Sequence, residues 1–315
     1  MQSVAKITKI VFSLLLIAYL WKIFGPSNIL SILSNAKLKY LGFGLSFLLL
    51  GQFASGVRHA RILSILNVNL SMAHVIDIAL LGTLLNQILP TGMGGDVYRV
   101  IRISEACSWE SALASVILDR ILGLLFKLSL IFCFFPIYLF MQIPLTVKLL
   151  IFLFSIIPLL FICFFLWLPS IYAYRNRIPA IISKWLEIIH DNSFHLNINN
   201  LKILIFPLIG GLFPYLICYA CICISLGAYI HWTAYIYIIP LIFLAMQFPL
   251  SFGGWGIREG AAIYLFSTVG MDQGIALVSS SLFGLSLIAT SLIGVLIMKI
   301  SSISNYVLDV MCRRT

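Results

Sequence analysis

Apolar residues run along this chain in long unbroken stretches, at about 7–24, 40–57, 75–89, 111–140, 149–168, 201–228, 233–250, 257–269 and 274–298. They are continuous rather than alternating, and about 20 such residues cross a hydrocarbon core as a helix. In lipid only helices and closed barrels satisfy their own backbone groups, so the pattern predicts helices. Two stretches, 75–89 and 257–269, are short for a crossing. The expected fold is an all-α polytopic membrane protein with about eight transmembrane helices plus broken or re-entrant ones. A single membrane domain over 1–315 accounts for the whole pattern.

Residues 170–200 differ in kind. Arg175, Arg177, Lys184, Glu187, His190 and Asp191 are interleaved with Ile178, Ile181, Ile182, Trp185, Ile188 and Ile189. That spacing predicts an amphipathic helix on the membrane surface, at about 178–190. Basic residues outside the apolar runs then orient the chain. Lys6 and Lys9, Arg58 and Arg61, Arg99 and Arg102, Arg175 to Lys184, and Arg313 and Arg314 all fall on the cytoplasmic side if both termini are inside. This also requires 75–89 to enter and leave on that side, and it leaves Lys37 and Lys39 as exceptions. The first apolar run ends in Trp21-Lys22-Ile23-Phe24-Gly25-Pro26 with no small-x-small cleavage site, so it is read as an uncleaved first helix.

Composition agrees. The chain is 62% hydrophobic and only 10% charged, against about a quarter charged in a soluble domain. Its net charge of +10 would suggest nucleic acid in a soluble protein. Here the positives sit mostly between apolar segments, where they meet anionic headgroups, and no nucleic-acid partner is expected. The expected location is a bacterial inner or cell membrane. Cys218 and Cys221 form a C-x-x-C inside an apolar run without further ligands, which reads as packing; no metal or cofactor is expected.

Two segments are polar and glycine-rich at membrane depth: Asn86 to Arg99 and Gln247 to Glu259. Both read Pro-x3-Gly-Gly-x3-Arg. Pro90, Gly94, Gly95 and Arg99 match Pro249, Gly253, Gly254 and Arg258, each pair 159 residues apart. The match divides the chain into halves of about 1–148 (motif 86–99) and 149–315 (motif 247–259), a two-fold internal repeat. Matched breaks of this kind mark broken helices around a central substrate site. Proline ends a half-helix, glycines admit a tight bend, and the next half-helix starts with free N–H groups suited to phosphate. Arg99 and Arg258 would add bidentate contacts to that phosphate.

Asp119 and Arg120 lie inside the apolar segment 111–140, where charges normally face a bundle interior. Adjacent residues do not share a helix face, so Asp96, Arg99, Arg258 and Glu259 are their natural partners. His74 and Asp77, three apart, suit a headgroup-level pair. Asn86 and Gln87 either line the first site or bond between helices.

On Asn86-x3-Pro90-x3-Gly94-Gly95-Asp96-x2-Arg99, on Asp119-Arg120-Ile121-x-Gly123 and on Pro249-x3-Gly253-Gly254-x-Gly256-x2-Glu259, the sequence resembles the membrane region of the lysylphosphatidylglycerol synthase/flippase family. Asp119 stands where that family often has Glu. Full-length synthases add a cytosolic aminoacyl-transferase domain, so the resemblance implies a stand-alone flippase-like protein.

The function expected first is translocation of a phospholipid, aminoacyl-lipid or polyprenyl-phosphate-linked lipid, with its headgroup between the two motifs. Asp96, Asp119 and Glu259 would balance charge, accept a cationic headgroup or carry coupling protons. No P-loop is visible. The alternatives are a membrane subunit that recruits a cytosolic glycosyltransferase or lipid synthase through the surface helix, and an intramembrane lipid transferase.

Overall fold

The structure, a computed structural model, describes residues 25–89, 93–140, 144–149, 151–157, 198–246 and 254–312, with Lys22 and Leu160 besides. The surface helix expected at 178–190 and the candidate residues Pro90, Pro249 and Gly253 lie outside them. All regular structure among the described residues is helical: helical residues at 145–149 and 151–157, and the helices α1 (Pro26–Ser34), α2 (Leu38–Ile65), α3 (Met72–Ile88), α4 (Gly94–Ser104), α5 (Trp109–Phe140), α6 (Ile198–Ser225), α7 (Trp232–Ala245), α8 (Ile257–Ser267) and α9 (Gln273–Cys312).

Burial is reversed relative to a soluble protein. Leu30, Leu38, Leu50 and Leu153 are largely exposed, whereas Arg58, Arg99, Asp119, Arg258 and Glu259 are buried. Charged residues are almost never buried in water-soluble folds, but inside a membrane they turn away from lipid into the bundle. Helices Leu38–Ile65 and Gln273–Ile300 are long and apolar enough to cross a hydrocarbon core.

At the centre α2 and α6 pack antiparallel. Gly44 lies against Cys218 and Cys221, Gly51 against Pro214 and Tyr215, and Ala54 against Gly210. At one end the Lys37 N–H donates to the Ser225 carbonyl at 2.8 Å. Small residues let the two backbones approach, the usual basis of helix association where no hydrophobic force acts. Cys218 and Cys221 are therefore part of a packing seam.

Both central helices end the same way, 160 residues apart. Asn67 (φ 58°) follows α2, and the Val68 N–H closes on the Leu63 carbonyl at 2.9 Å. Gly227 (φ 83°) follows α6, and the Ala228 N–H closes on the Cys223 carbonyl at 3.0 Å. These six-to-one bonds satisfy the last carbonyls of each helix and turn the chain back. Each turn leads into a medium helix, a break, an 11-residue helix and a long helix.

The medium and short helices of each half form a hairpin. In the first, Val75 and Ile78 of α3 share an apolar cluster with Val100 and Ile103 of α4 and with Leu63 of α2. In the second, Tyr235 meets Phe266 with ring centres 6.3 Å apart, and Met246 lies against Gly254 at the other end. With 17 residues in α3 and 14 in α7, the arms reach about 26 and 21 Å, short of a core of about 30 Å. Within the stretch 233–250, read above as a crossing, the described helix α7 is thus one arm of a hairpin. The first hairpin opens beside Leu63, at the end of α2. The second opens beside Ala228, whose carbonyl accepts from Tyr235 Oη at 3.4 Å, at the opposite end of the α2/α6 pair.

Candidate functional site

The first hairpin is held at its tip by Asn86. Its Oδ1 accepts the Gly95 N–H at 2.8 Å, and its Nδ2 donates to Asp96 Oδ1 at 3.3 Å. A Cβ on Gly95 would run into the Gly82 carbonyl oxygen. Gly95 therefore serves the close approach of α4 to α3, and one N–H expected to meet phosphate is already taken by Asn86. One turn along α4, Arg99 Nη2 donates to the Ala79 carbonyl at 3.0 Å and to Thr83 Oγ1 at 3.3 Å. Its Nη1 reaches Asp119 Oδ2 at 3.4 Å, and its buried Nε has no partner.

Asp119 is the hub. Its other oxygen accepts from Arg58 Nε at 2.7 Å, so one carboxylate on α5 joins guanidiniums from α2 and α4. Arg120, the next residue, pairs with Asp96. Adjacent charges on α5 thus take different partners, as helical geometry predicts, and two of the expected pairs form. One member was missed: Arg58 was assigned to topology, because it stands just past the end of the apolar run 40–57. Lys127, a cation inside the apolar run 111–140 that was not singled out, lies two turns beyond Arg120 on α5. His59 Nε2 sits 3.3 Å from Ser115 Oγ at the edge of the network.

The network therefore holds Arg58, Arg99 and Arg120 against Asp96 and Asp119, a surplus of one positive charge among the described residues. Arg58, Arg99 and Asp119 side chains are each under a tenth exposed, while Arg120 is one-third exposed and forms the open side.

The second hairpin carries a different arrangement. Gly254 (φ 83°) and Gly256 (φ 89°) take a left-handed path into α8 that other residues rarely adopt. Glu259 then turns back, and its Oε2 accepts the Gly256 N–H at 2.5 Å, one half of a capping box. Its Oε1 accepts from Arg258 Nη2 at 2.8 Å and Nε at 3.1 Å. Arg258 also donates to Ser280 Oγ at 3.2 Å and lies over the Trp255 ring, 4.4 Å from its centre. Gly284 leaves the space that the guanidinium fills. Both charged residues are fully buried, and the site is neutral. The positive helix end that was expected to face phosphate faces the chain's own carboxylate instead.

No ion pair among the described residues links the two networks. Tyr215 and Tyr219 lie one turn apart on α6. Phe283 packs against both rings, 6.5 Å from Tyr215 and 4.9 Å from Tyr219, and stacks on Phe243 at 5.3 Å. Tyr215, Tyr219, Phe243 and Phe283 thus form one connected aromatic cluster across α6, α7 and α9. His74 and Asp77 lie apart, in the first turns of α3, where the His74 N–H donates to Ser71 Oγ at 3.3 Å.

Helices with an apolar exterior, a charged interior and two short-armed hairpins define a helical integral membrane protein. The chain matches the model of the lysylphosphatidylglycerol synthase TM region over residues 6–294, nearly its whole length, and belongs to that family. No curated protein and no solved structure matches it.

Proposed function

We propose that this protein is a lipid translocase in which an anionic headgroup binds at the first-hairpin network while the tails stay in the bilayer. The observation that carries this reading is the surplus of one positive charge among Arg58, Arg99, Arg120, Asp96 and Asp119, with Arg120 the most exposed of them. A buried surplus of one sign is unfavourable unless a counter-charge arrives, and a lipid phosphate supplies one. The shared family with a membrane region of lipid-modifying proteins supports a lipid as that counter-charge.

The architecture suits movement across a membrane. The order of helices 38–140 recurs over 198–312, and the equivalent helices α2 and α6 run antiparallel. In this proposal the halves are an inverted repeat, with one re-entrant hairpin entering from each face, and the basic end of α2 is cytoplasmic. The count of full crossings then falls below eight, because 233–250 folds back. Arg58 to Asp119 forms the site reached from the cytoplasmic face. Arg258 and Glu259 form the site reached from the other, with the aromatic cluster around Phe283 between them.

The test is movement of labelled anionic phospholipids and polyprenyl phosphates in proteoliposomes, comparing wild type with Arg99→Ala and Arg258→Ala. Loss of movement in both variants, with the fold intact, supports the proposal. Unchanged rates in both would remove these sites from any transport path.

A further inference from the structure

We infer that the imidazole of His59 is a proton-binding site coupled to the first network, taking up a proton when an anionic headgroup is seated there and giving it back when the headgroup leaves. The inference rests on the headgroup-binding proposal for that network and adds a second ligand, the proton.

The contact between α2 and α5 carries it. Arg58 and His59 are neighbours on α2, and Ser115 and Asp119 lie one turn apart on one face of α5. Two side-chain contacts therefore join these helices side by side, Arg58 Nε to Asp119 at 2.7 Å and His59 Nε2 to Ser115 Oγ at 3.3 Å. Ser115 settles the tautomer. Its one hydroxyl proton goes to the Ala112 carbonyl at 2.7 Å, so its oxygen accepts from the His59 Nε2–H. Nδ1 is then the unprotonated nitrogen, buried and without a partner among the described residues. His59 is fully buried, whereas His74 and His231, the other described histidines, are not. Packing accounts for the Nε2 bond, but it leaves a basic nitrogen in the interior with nothing to accept, which is unfavourable.

The charge of the network couples that nitrogen to the headgroup. The charged groups around His59 are Arg58 beside it on α2, Asp119 on α5, and Arg99 and Asp96 on α4, with Arg120 held by Asp96. These five carry a surplus of one positive charge, and an imidazolium would add to it. A monoanionic headgroup makes the network neutral, so a proton on His59 then meets no surplus of its own sign. The two ligands favour one another, each raising the affinity of the other by the same factor. The second network lacks such a group: Arg258 bonds to Glu259 and Ser280 and lies over Trp255. Proton coupling therefore belongs to the first half.

The experiment is equilibrium binding of phosphatidylglycerol to the full chain in phosphatidylcholine nanodiscs at a pH of about 5 and of about 8, either side of the ordinary histidine value near 6.5. Its phosphodiester keeps one negative charge over this range, so a pH effect belongs to the protein. Transbilayer movement of the labelled lipid is measured alongside. Wild type is expected to bind about tenfold tighter at the lower pH, inside the range of about 5–150-fold common for coupled sites, and to take up protons as lipid is added. His59→Gln keeps a donor for Ser115 but has no basic nitrogen, and it is expected to bind equally at both pH values. Nitrogen NMR of histidine-labelled wild type gives a second measurement that needs no variant: one imidazole passes from its neutral to its doubly protonated form when lipid is added at the lower pH. Equal affinity at both pH values with no proton uptake overturns the coupling, and translocation stands if the lipid moves. A pH dependence that persists in His59→Gln, or histidine signals that do not change with lipid, overturns the assignment to His59. Phosphatidylglycerol neither bound nor moved at either pH overturns the headgroup site itself.

Discussion

Arg58 on α2 donates its Nε–H to Asp119 on α5 across 2.7 Å, a bond between residues 61 apart in the chain. Asp119 also accepts from Arg99, so a single carboxylate ties α2 and α5 to the first hairpin. This contact, with Arg120 on Asp96, fixes how the first hairpin sits against α2 and α5.

Asp119→Asn therefore leaves two buried guanidiniums without their counter-ion. Breaking a buried pair by removing one partner costs about 3–5 kcal/mol. The expected outcome is a marked drop in melting temperature in detergent and loss of lipid movement. A melting temperature equal to wild type would show that the pair does not hold the helices.

Close helix approach makes a second prediction specific to position. Gly95→Ala places a Cβ against the Gly82 carbonyl oxygen, which has nowhere to go. Gly260 in α8 has open space around its Cβ direction, and helical Gly→Ala there is worth up to about 1 kcal/mol in favour of folding. Purified Gly95→Ala is expected to lose the folded state, and Gly260→Ala to melt at or above the wild-type temperature. The opposite order would contradict the described hairpin packing.

The neutral second site predicts compensation. Glu259→Gln removes the counter-ion of Arg258 and weakens the bond to the Gly256 N–H, at about 3–5 kcal/mol. Adding Arg258→Met to that variant removes the stranded charge and is expected to recover most of the lost stability. Thermal denaturation of the single and double variants measures this directly. Additive losses would mean that the two residues do not act as a pair.

Phe283 packs against Tyr215 and Tyr219, one turn apart on α6. If the ring is the barrier between the sites, Phe283→Leu thins it at modest packing cost. The expected result is faster lipid movement with weaker discrimination among headgroups. Unchanged rate and selectivity would place the barrier elsewhere.

Helices were legible in the sequence because lipid demands long apolar runs, and their breaks because Pro and Gly interrupt those runs at matching positions. Asp119 and Arg120 were legible as interior charges for the same reason. Which charge meets which was only partly so. Arg58 lies close enough to the end of its apolar run to pass for a topology signal, and its partner is fixed by tertiary packing. The fold-back of α7 was hidden because 233–250 is apolar enough to pass for a crossing. Arg258 and Glu259 escaped the rule that neighbours on a helix do not pair, because they sit in the first turn of α8. There the Glu259 carboxylate turns back to cap the helix and meets the arginine beside it.

Transbilayer movement of a labelled anionic lipid tests the central claim most directly, measured in vesicles with wild-type protein, with Arg99→Ala and with no protein. The account predicts rapid movement with wild type that falls to the protein-free rate in Arg99→Ala, while that variant keeps its helical content. Movement with wild type no faster than in protein-free vesicles would contradict it.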